Sequence, residues 1–169
     1  MAQQLSTRLT NATTVPLVVG SFANKNGLAS STDTVEVAAG SNNDTAILNI
    51  RIPVDARITS VRVASDDLGT AGTMSIGLFA KDNMAATFTA VSAACIAATL
   101  DVNAAAVGFT ERRFSAPNID TVNKAAWELA GLSAKPTTYG DFYLGLTFPT
   151  ATTAVGTVSV IVDMITTGG

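Results

Sequence analysis

The chain has 169 residues, 47% of them apolar but only 6% aromatic and 14% charged, with a net charge of −3. One domain of this length buries roughly 70% of its unfolded surface, and an apolar share rich in Ala and Val suits small side chains packed between sheets rather than a deep aromatic pocket. With no histidine and one cysteine, a His-ligated metal, a Cys-His nucleophile and an intramolecular disulfide are excluded.

The low charge has a further consequence. A surface covered by Thr, Ser, Asn and Ala has little like-charge repulsion to keep copies apart, so a homo-oligomer or a subunit of a larger assembly is expected. The ten basic residues are scattered, and Arg112-Arg113 is the only adjacent pair. No stripe is present that could neutralise a row of phosphates, so nucleic acid is not an expected partner.

In chain order, residues 1–33 are polar and rich in Thr, Asn and Ser, with one apolar run at Val15-Pro16-Leu17-Val18-Val19 and a turn signal at Asn26-Gly27. The run is too short and interrupted for a signal peptide or a membrane span, so neither is expected, and the sequons at Asn11 and Asn43 read as chance matches. The segment reads either as a frayed terminus or as an extended arm that orders against a neighbouring subunit. The division adopted is an N-terminal extended arm over 1–33 and a β-sandwich domain over 34–169.

From Thr34 onward, short alternating segments follow one another. Val35 and Val37 mark a strand over Thr34–Ala38. After the turn-rich Gly40–Asp44, residues Ala46, Leu48, Ile50 and Ile52 alternate with Asn49 and Arg51. Pro53-Val54-Asp55-Ala56 turns the chain, and alternation resumes over Arg57–Ala64, with Thr59, Val61 and Val63 expected on one face. A loop over Ser65–Gly72 leads to Thr73–Lys81, where Met74, Ile76 and Leu78 share a side. A period of two places every second side chain on one sheet face.

Asn83–Ala106 fits neither the strand nor the helix period and is expected to hold a strand or two with irregular connection. Cys95 lies among alanines there and reads as a small apolar filler. Further strands are expected at Phe109–Phe114, Phe142–Phe148 and Thr157–Ile165. Asn123–Leu132 is the one helix candidate, capped by Asn123 and ended by Gly131. Seven or eight such strands describe an all-β antiparallel sandwich of jelly-roll type with one short helix near 123–132.

The chemistry-bearing residues are sparse. Asp66-Asp67 is the only adjacent acidic pair, and neighbours in an extended segment point apart, whereas glycosidase acids face each other about 5–9 Å apart. Turn chemistry before Gly69 explains the pair more simply. Ser65–Gly69 also lacks the spacing of a calcium loop. No nucleophile elbow, phosphate loop or dinucleotide fingerprint is present. The reading is a non-enzyme with no catalytic residue, no cofactor and no metal.

The block Ile52-Pro53-Val54-Asp55-Ala56-Arg57-Ile58-Thr59-Ser60-Val61-Arg62-Val63, with Ser65-Asp66-Asp67-Leu68-Gly69 and Gly72–Phe79, resembles small structural proteins of tailed bacteriophages. Ala126-Trp127-Glu128-Leu129-Ala130-Gly131-Leu132, Tyr139–Phe148 and Ala154–Val162 are similar to their closing half. The resemblance spans residues 45–165. It implies a virion protein of the capsid decoration (cement) type, made in the host cytoplasm and bound to the capsid exterior. Its partners would be the major capsid protein and itself, as a trimer or dimer.

Two alternatives stand beside that one. A receptor- or glycan-binding knob of a head or tail fibre would use Trp127, Tyr139 and Tyr143 as a platform, although Trp127 also reads as a packed plug. A minor tail or adaptor protein is the other. The expected partner contact is the arm at Val15, Leu17, Val18, Val19 and Phe22.

Overall fold

The structure, a computed structural model, describes residues 3–5, 27–41, 44–70, 72–82, 87–111, 121 and 123–166. Among these the strands are β1 (Gln3–Leu5), β2 (Gly27–Val37), β3 (Asp44–Pro53), β4 (Arg57–Ser65), β5 (Thr73–Lys81), β6 (Phe88–Asp101), β7 (Ala106–Glu111), β8 (Asp141–Phe148) and β9 (Gly156–Thr166). A single turn of helix, α1 (Ala126–Leu129), lies between β7 and β8.

The strands form two sheets, one in the order β1-β3-β8-β5-β6 and the other in the order β2-β9-β4-β7. Every pairing is antiparallel except β1 on β3. From β2 to β9, only β5 and β6 are consecutive strands that also lie side by side; every other connection crosses between the sheets. That path is the jelly roll, two Greek keys folded into an eight-stranded sandwich. The expected fold class is the observed one.

Alternation explains the core. Leu48, Ile50 and Ile52 from β3, Met74, Ile76 and Leu78 from β5, and Phe142, Leu144, Leu146 and Phe148 from β8 meet Val158, Val160, Val162 and Met164 of β9 in one buried cluster. Each such side chain contributes about 1.5–3 kcal/mol relative to leaving it in water. The face expected for β4 is shifted at one residue. Ile58 pairs with Met164 and Ser60 already with Asp163, so Thr59 is bulged out and Ile58 takes the buried place. Thr59 instead donates its hydroxyl to the Asp163 carbonyl at 3.0 Å. An extra residue in one strand reverses the phase of everything before it.

β2 takes in residues 27–33 as well as the expected strand at Thr34–Ala38, because it follows β9 without a break from Gly27↔Thr166 to Val37↔Gly156. Its first half is small and polar, so backbone pairing rather than apolar alternation defines it. A second irregularity ties the two sheets together. Between Ile47 and Arg51 the register of β3 against β8 shifts, which turns the Asn49 N–H away from the ladder. The buried carboxylate of Asp33 on β2 accepts that N–H at 2.7 Å.

The two ends of the sandwich are closed differently. At one end, Thr152 donates its hydroxyl to the Ala38 carbonyl at 2.9 Å, Leu68 N–H donates to Val102, and Thr153 N–H to Leu68, lacing the loops after β2, β4, β6 and β8. At the other end α1 sits on the β3–β4 turn, with Ala126 N–H donating to Ala56 and Trp127 N–H to Val54. The helix is shorter than expected. Its N-cap is Ala125 rather than Asn123, and the Glu128 carboxylate accepts the Ala125 N–H at 2.8 Å. Gly131 ends it at φ +80, a left-handed conformation that favours glycine.

Candidate functional site

Among the described residues no group of three or more Cys, Asp or Glu could hold a metal ion, and no helix is long and apolar enough to cross a membrane. The acidic pair does turn work. Asp66 Oδ2 accepts Thr157 N–H at 2.8 Å, and Asp67 Oδ1 accepts Gly69 N–H at 2.8 Å. Their carboxylates are thus turned to different backbone donors rather than to one substrate. The Cys95 thiol is partly buried on β6 and bonds the Ser92 carbonyl at 3.6 Å. Burial pushes its pKa up to about 11, and a thiol held protonated is a poor nucleophile. What the described residues offer is surface and sheet edge.

The outer face of the five-stranded sheet is closed over by its own chain. Gly77 and Gly145 are direct cross-strand partners on β5 and β8. A Cβ at Gly145 would stand 2.2 Å from Cε2 of Phe79, so that ring lies across the glycine. A Cβ at Gly77 would stand 2.1 Å from the Ser92 carbonyl oxygen and 2.3 Å from the Ala93 carbonyl carbon. The backbone of β6 comes this close because Leu78 pairs with Ser92 but Ile76 with Ala97, which forces the intervening residues to bulge. Ile47, Phe79, Phe88 and Tyr143 gather there as a second apolar cluster with Ala93 against it. Phe88 meets Tyr143 edge-on at 5.0 Å, and the Arg51 guanidinium stands 5.7 Å from the Tyr143 ring centre. Desolvation raises the Tyr143 pKa, partly offset by Arg51.

The four-stranded sheet is different, for its outer face is exposed. Rows cross it as Leu28–Ile165–Arg57, Ser30–Asp163–Ser60 and Thr32–Ile161–Arg62. Arg62 pairs with Asp163 at 2.8 Å, and Glu111 accepts from the Ser60 hydroxyl and from Val61 N–H. Leu28 is 69% and Ile165 43% exposed, so the first row ends in an apolar pair open to solvent. Phe109, on edge strand β7, is also exposed.

The edge of the five-stranded sheet is covered by β1, which pairs with β3 at Gln3↔Thr45, Gln4↔Ala46 and Leu5↔Ile47. Just past that pairing, Asn49 Oδ1 is buried without a hydrogen-bond partner among the described residues.

The expected contact residues Val15, Leu17, Val18, Val19 and Phe22, and the pair Arg112-Arg113, lie outside the described residues. The aromatic candidates are engaged in packing. Trp127 and Tyr139 lie against the main core, Tyr139 meets Phe142 edge-on at 5.4 Å, and Tyr143 is buried in the outer cluster. Trp127 and Tyr139 are only partly buried. Sequence reasoning missed the outer cluster and the β1 edge. The signal for the first was present: a glycine inside an alternating strand marks a close approach of other atoms, and Gly77 and Gly145 each sit in one. β1 had none, since three residues carry no period.

The fold and surface together define an all-β sandwich of jelly-roll topology with extended faces and no reactive cluster among its described residues. No protein-family model matches the sequence, and no curated protein matches it. Among solved structures, a chain from the capsid of Ralstonia phage GP4 superposes with a TM-score of 0.63 at 14% identity, covering 99% of each chain. A chain from the capsid asymmetric unit of cyanophage Pam1 superposes with a TM-score of 0.53 at 19% identity, covering 88% of this chain and 91% of that one. At these identities the likeness is one of fold.

Proposed function

We propose that this chain is a structural protein of a bacteriophage virion, specifically a decoration protein that stabilises the head through non-covalent contacts with neighbouring capsomers. The observation that carries the reading is the end-to-end likeness of fold to a chain of a phage capsid, 99% of both chains. The charge-poor surface, with an exposed sheet face and no reactive cluster among the described residues, supports it. In this reading the protein sits on the capsid exterior as a dimer or trimer. The arm residues Val15, Leu17, Val18, Val19 and Phe22 carry the contact with the major capsid protein. Each contact is weak, and many copies on a lattice supply the avidity.

The test is to mix the purified protein with undecorated capsids and follow co-sedimentation. Saturable binding at hundreds of copies per particle is the expected result. An absence of binding, together with a strictly monomeric species at micromolar concentration, would remove the proposal. Quantitative mass spectrometry of whole particles separates a decoration protein from a minor tail or adaptor component, which would be present in only a few copies.

A further inference from the structure

We infer that β1 is an exchangeable strand, which in an assembly leaves β3 of its own chain and pairs with β3 of a neighbouring copy. The inference deepens the proposed function and rests on it, since it names the partner of the sheet edge as a second copy of this chain. Three observations support it.

The first is size. β1 holds on through only three residues at a sheet edge, and such short edge elements open at little free-energy cost. The backbone bonds it makes to Thr45–Ile47 are the same whichever chain supplies the strand, so exchange leaves their number unchanged.

The second is reach. Leu5 pairs with Ile47, while Asp33 on β2 touches the Asn49 N–H at 2.7 Å. From Asp33 back to Gly27 is about 20 Å of strand at ~3.3 Å per residue, so the end of β1 and the start of β2 are on the order of 25 Å apart. Residues 6–26, which join them, extend to about 70 Å at full stretch. The connection is more than twice as long as the closed chain needs.

The third is charge. Residues 1–26 contain Arg8 and Lys25 and none of the thirteen acidic residues, all of which lie from Asp33 onward with the other eight basic ones. A cationic N-terminal segment is drawn equally to the acidic body of its own chain or of a neighbour. Concentration then decides between the two. On the length of the 21-residue connection alone, the effective concentration of β1 on its own β3 is about 1 mM. The dilute chain is therefore closed, and exchange becomes competitive once copies are held together at about that density, as on a shell.

The test uses the full chain with Cys95→Ser, so that new thiols are the only ones. Gln3→Cys and Thr45→Cys are placed on separate chains of different mass, mixed, equilibrated and oxidised. The mixed disulfide dimer is expected to rise from about a hundredth of the chains at 10 μM of each variant to about a third near 1 mM of each, on the effective concentration above, and to increase further on decorated capsids. If Thr45→Cys impairs folding, the next register pair, Gln4→Cys with Ala46→Cys, reports the same contact. The result that overturns the inference is ready closure of the disulfide within a Gln3→Cys/Thr45→Cys chain, with no mixed dimer above single-variant controls at 1 mM or on capsids. Co-sedimentation is read in parallel. Capsid binding without mixed dimers defeats the exchange alone, whereas mixed dimers at 1 mM without capsid binding defeat the decoration reading and leave the exchange standing.

Discussion

Replacing Gly145 by alanine tests whether the outer cluster is packed as tightly as its geometry states. The backbone there is not left-handed, so alanine fits the chain itself. Reducing the freedom of the unfolded state would by itself stabilise the fold by about 0.4–1 kcal/mol. Against this, the new Cβ would stand 2.2 and 2.3 Å from two carbons of the Phe79 ring, where ordinary contact begins at 3.4 Å. The ring must move by more than an ångström, and it is buried against Ile47, Phe88 and Tyr143. Overpacking of this kind costs about 1–3 kcal/mol, and full expulsion of the ring approaches the ~3–5 kcal/mol of a Phe→Ala truncation. We expect a net loss of about 1–3 kcal/mol in urea unfolding followed by circular dichroism at fixed protein concentration. Shortening the ring should relieve the clash, so Phe79→Leu/Gly145→Ala should be less destabilised than the sum of its parts by at least about 1 kcal/mol. A Gly145→Ala protein as stable as the parent, or strict additivity in the double variant, would show that the ring does not lie where the clash requires it.

Gly77→Ala meets backbone at Ser92 and Ala93 rather than a side chain, so nothing can rotate aside; the loss should exceed that of Gly145→Ala, with hydrogen exchange accelerated in β6. Asp33→Ala removes the acceptor of a buried N–H, which should cost about 1.5–3 kcal/mol, and a loss under 0.5 kcal/mol by urea titration would dismiss the inter-sheet tie. For Cys95 the sign is fixed by the raised pKa. The folded thiol keeps its proton up to about 11 while the unfolded one ionises near its ordinary value of 9.0, so its contribution is intact below pH 9 and is lost as pH rises towards 11. That difference corresponds to roughly 2–3 kcal/mol, so Cys95→Ser should lose less stability than the parent between pH 8.5 and 11, and parallel curves would contradict the burial. Arg62→Ala breaks a pair that is partly exposed, and should change stability by less than about 1 kcal/mol.

How much of this was legible in the sequence depended on whether the signal was local. Strands β5, β8 and β9 were readable almost to the residue because Met74-Ile76-Leu78, Phe142-Leu144-Leu146-Phe148 and Val158-Val160-Val162-Met164 place a large apolar side chain at every second position on the core face, although in β5 and β8 the other face is buried as well. β6 was not, because its register against β5 shifts repeatedly between Met74 and Phe79, and each shift breaks the period of two by which a strand is recognised. The first half of β2 escaped for a different reason. Ser30, Ser31 and Thr32 carry no apolar alternation, and what makes them a strand is β9, more than a hundred residues away.

The surface follows the same logic one level up. Reactive sites advertise themselves through residue type and spacing, so the sequence could argue against an acid pair at Asp66-Asp67, and the structure explains why: each carboxylate is occupied by a backbone donor. An interface built from sheet faces and edges has no such vocabulary. Leu28 and Ile165 are unremarkable apart, and only the pairing of β2 with β9 sets them side by side. The charge asymmetry between residues 1–26 and the rest can be counted in the sequence. It acquires meaning once topology puts β1 on the edge of β3, an edge that, on the exchange proposed above, either its own chain or a neighbouring copy offers to β1.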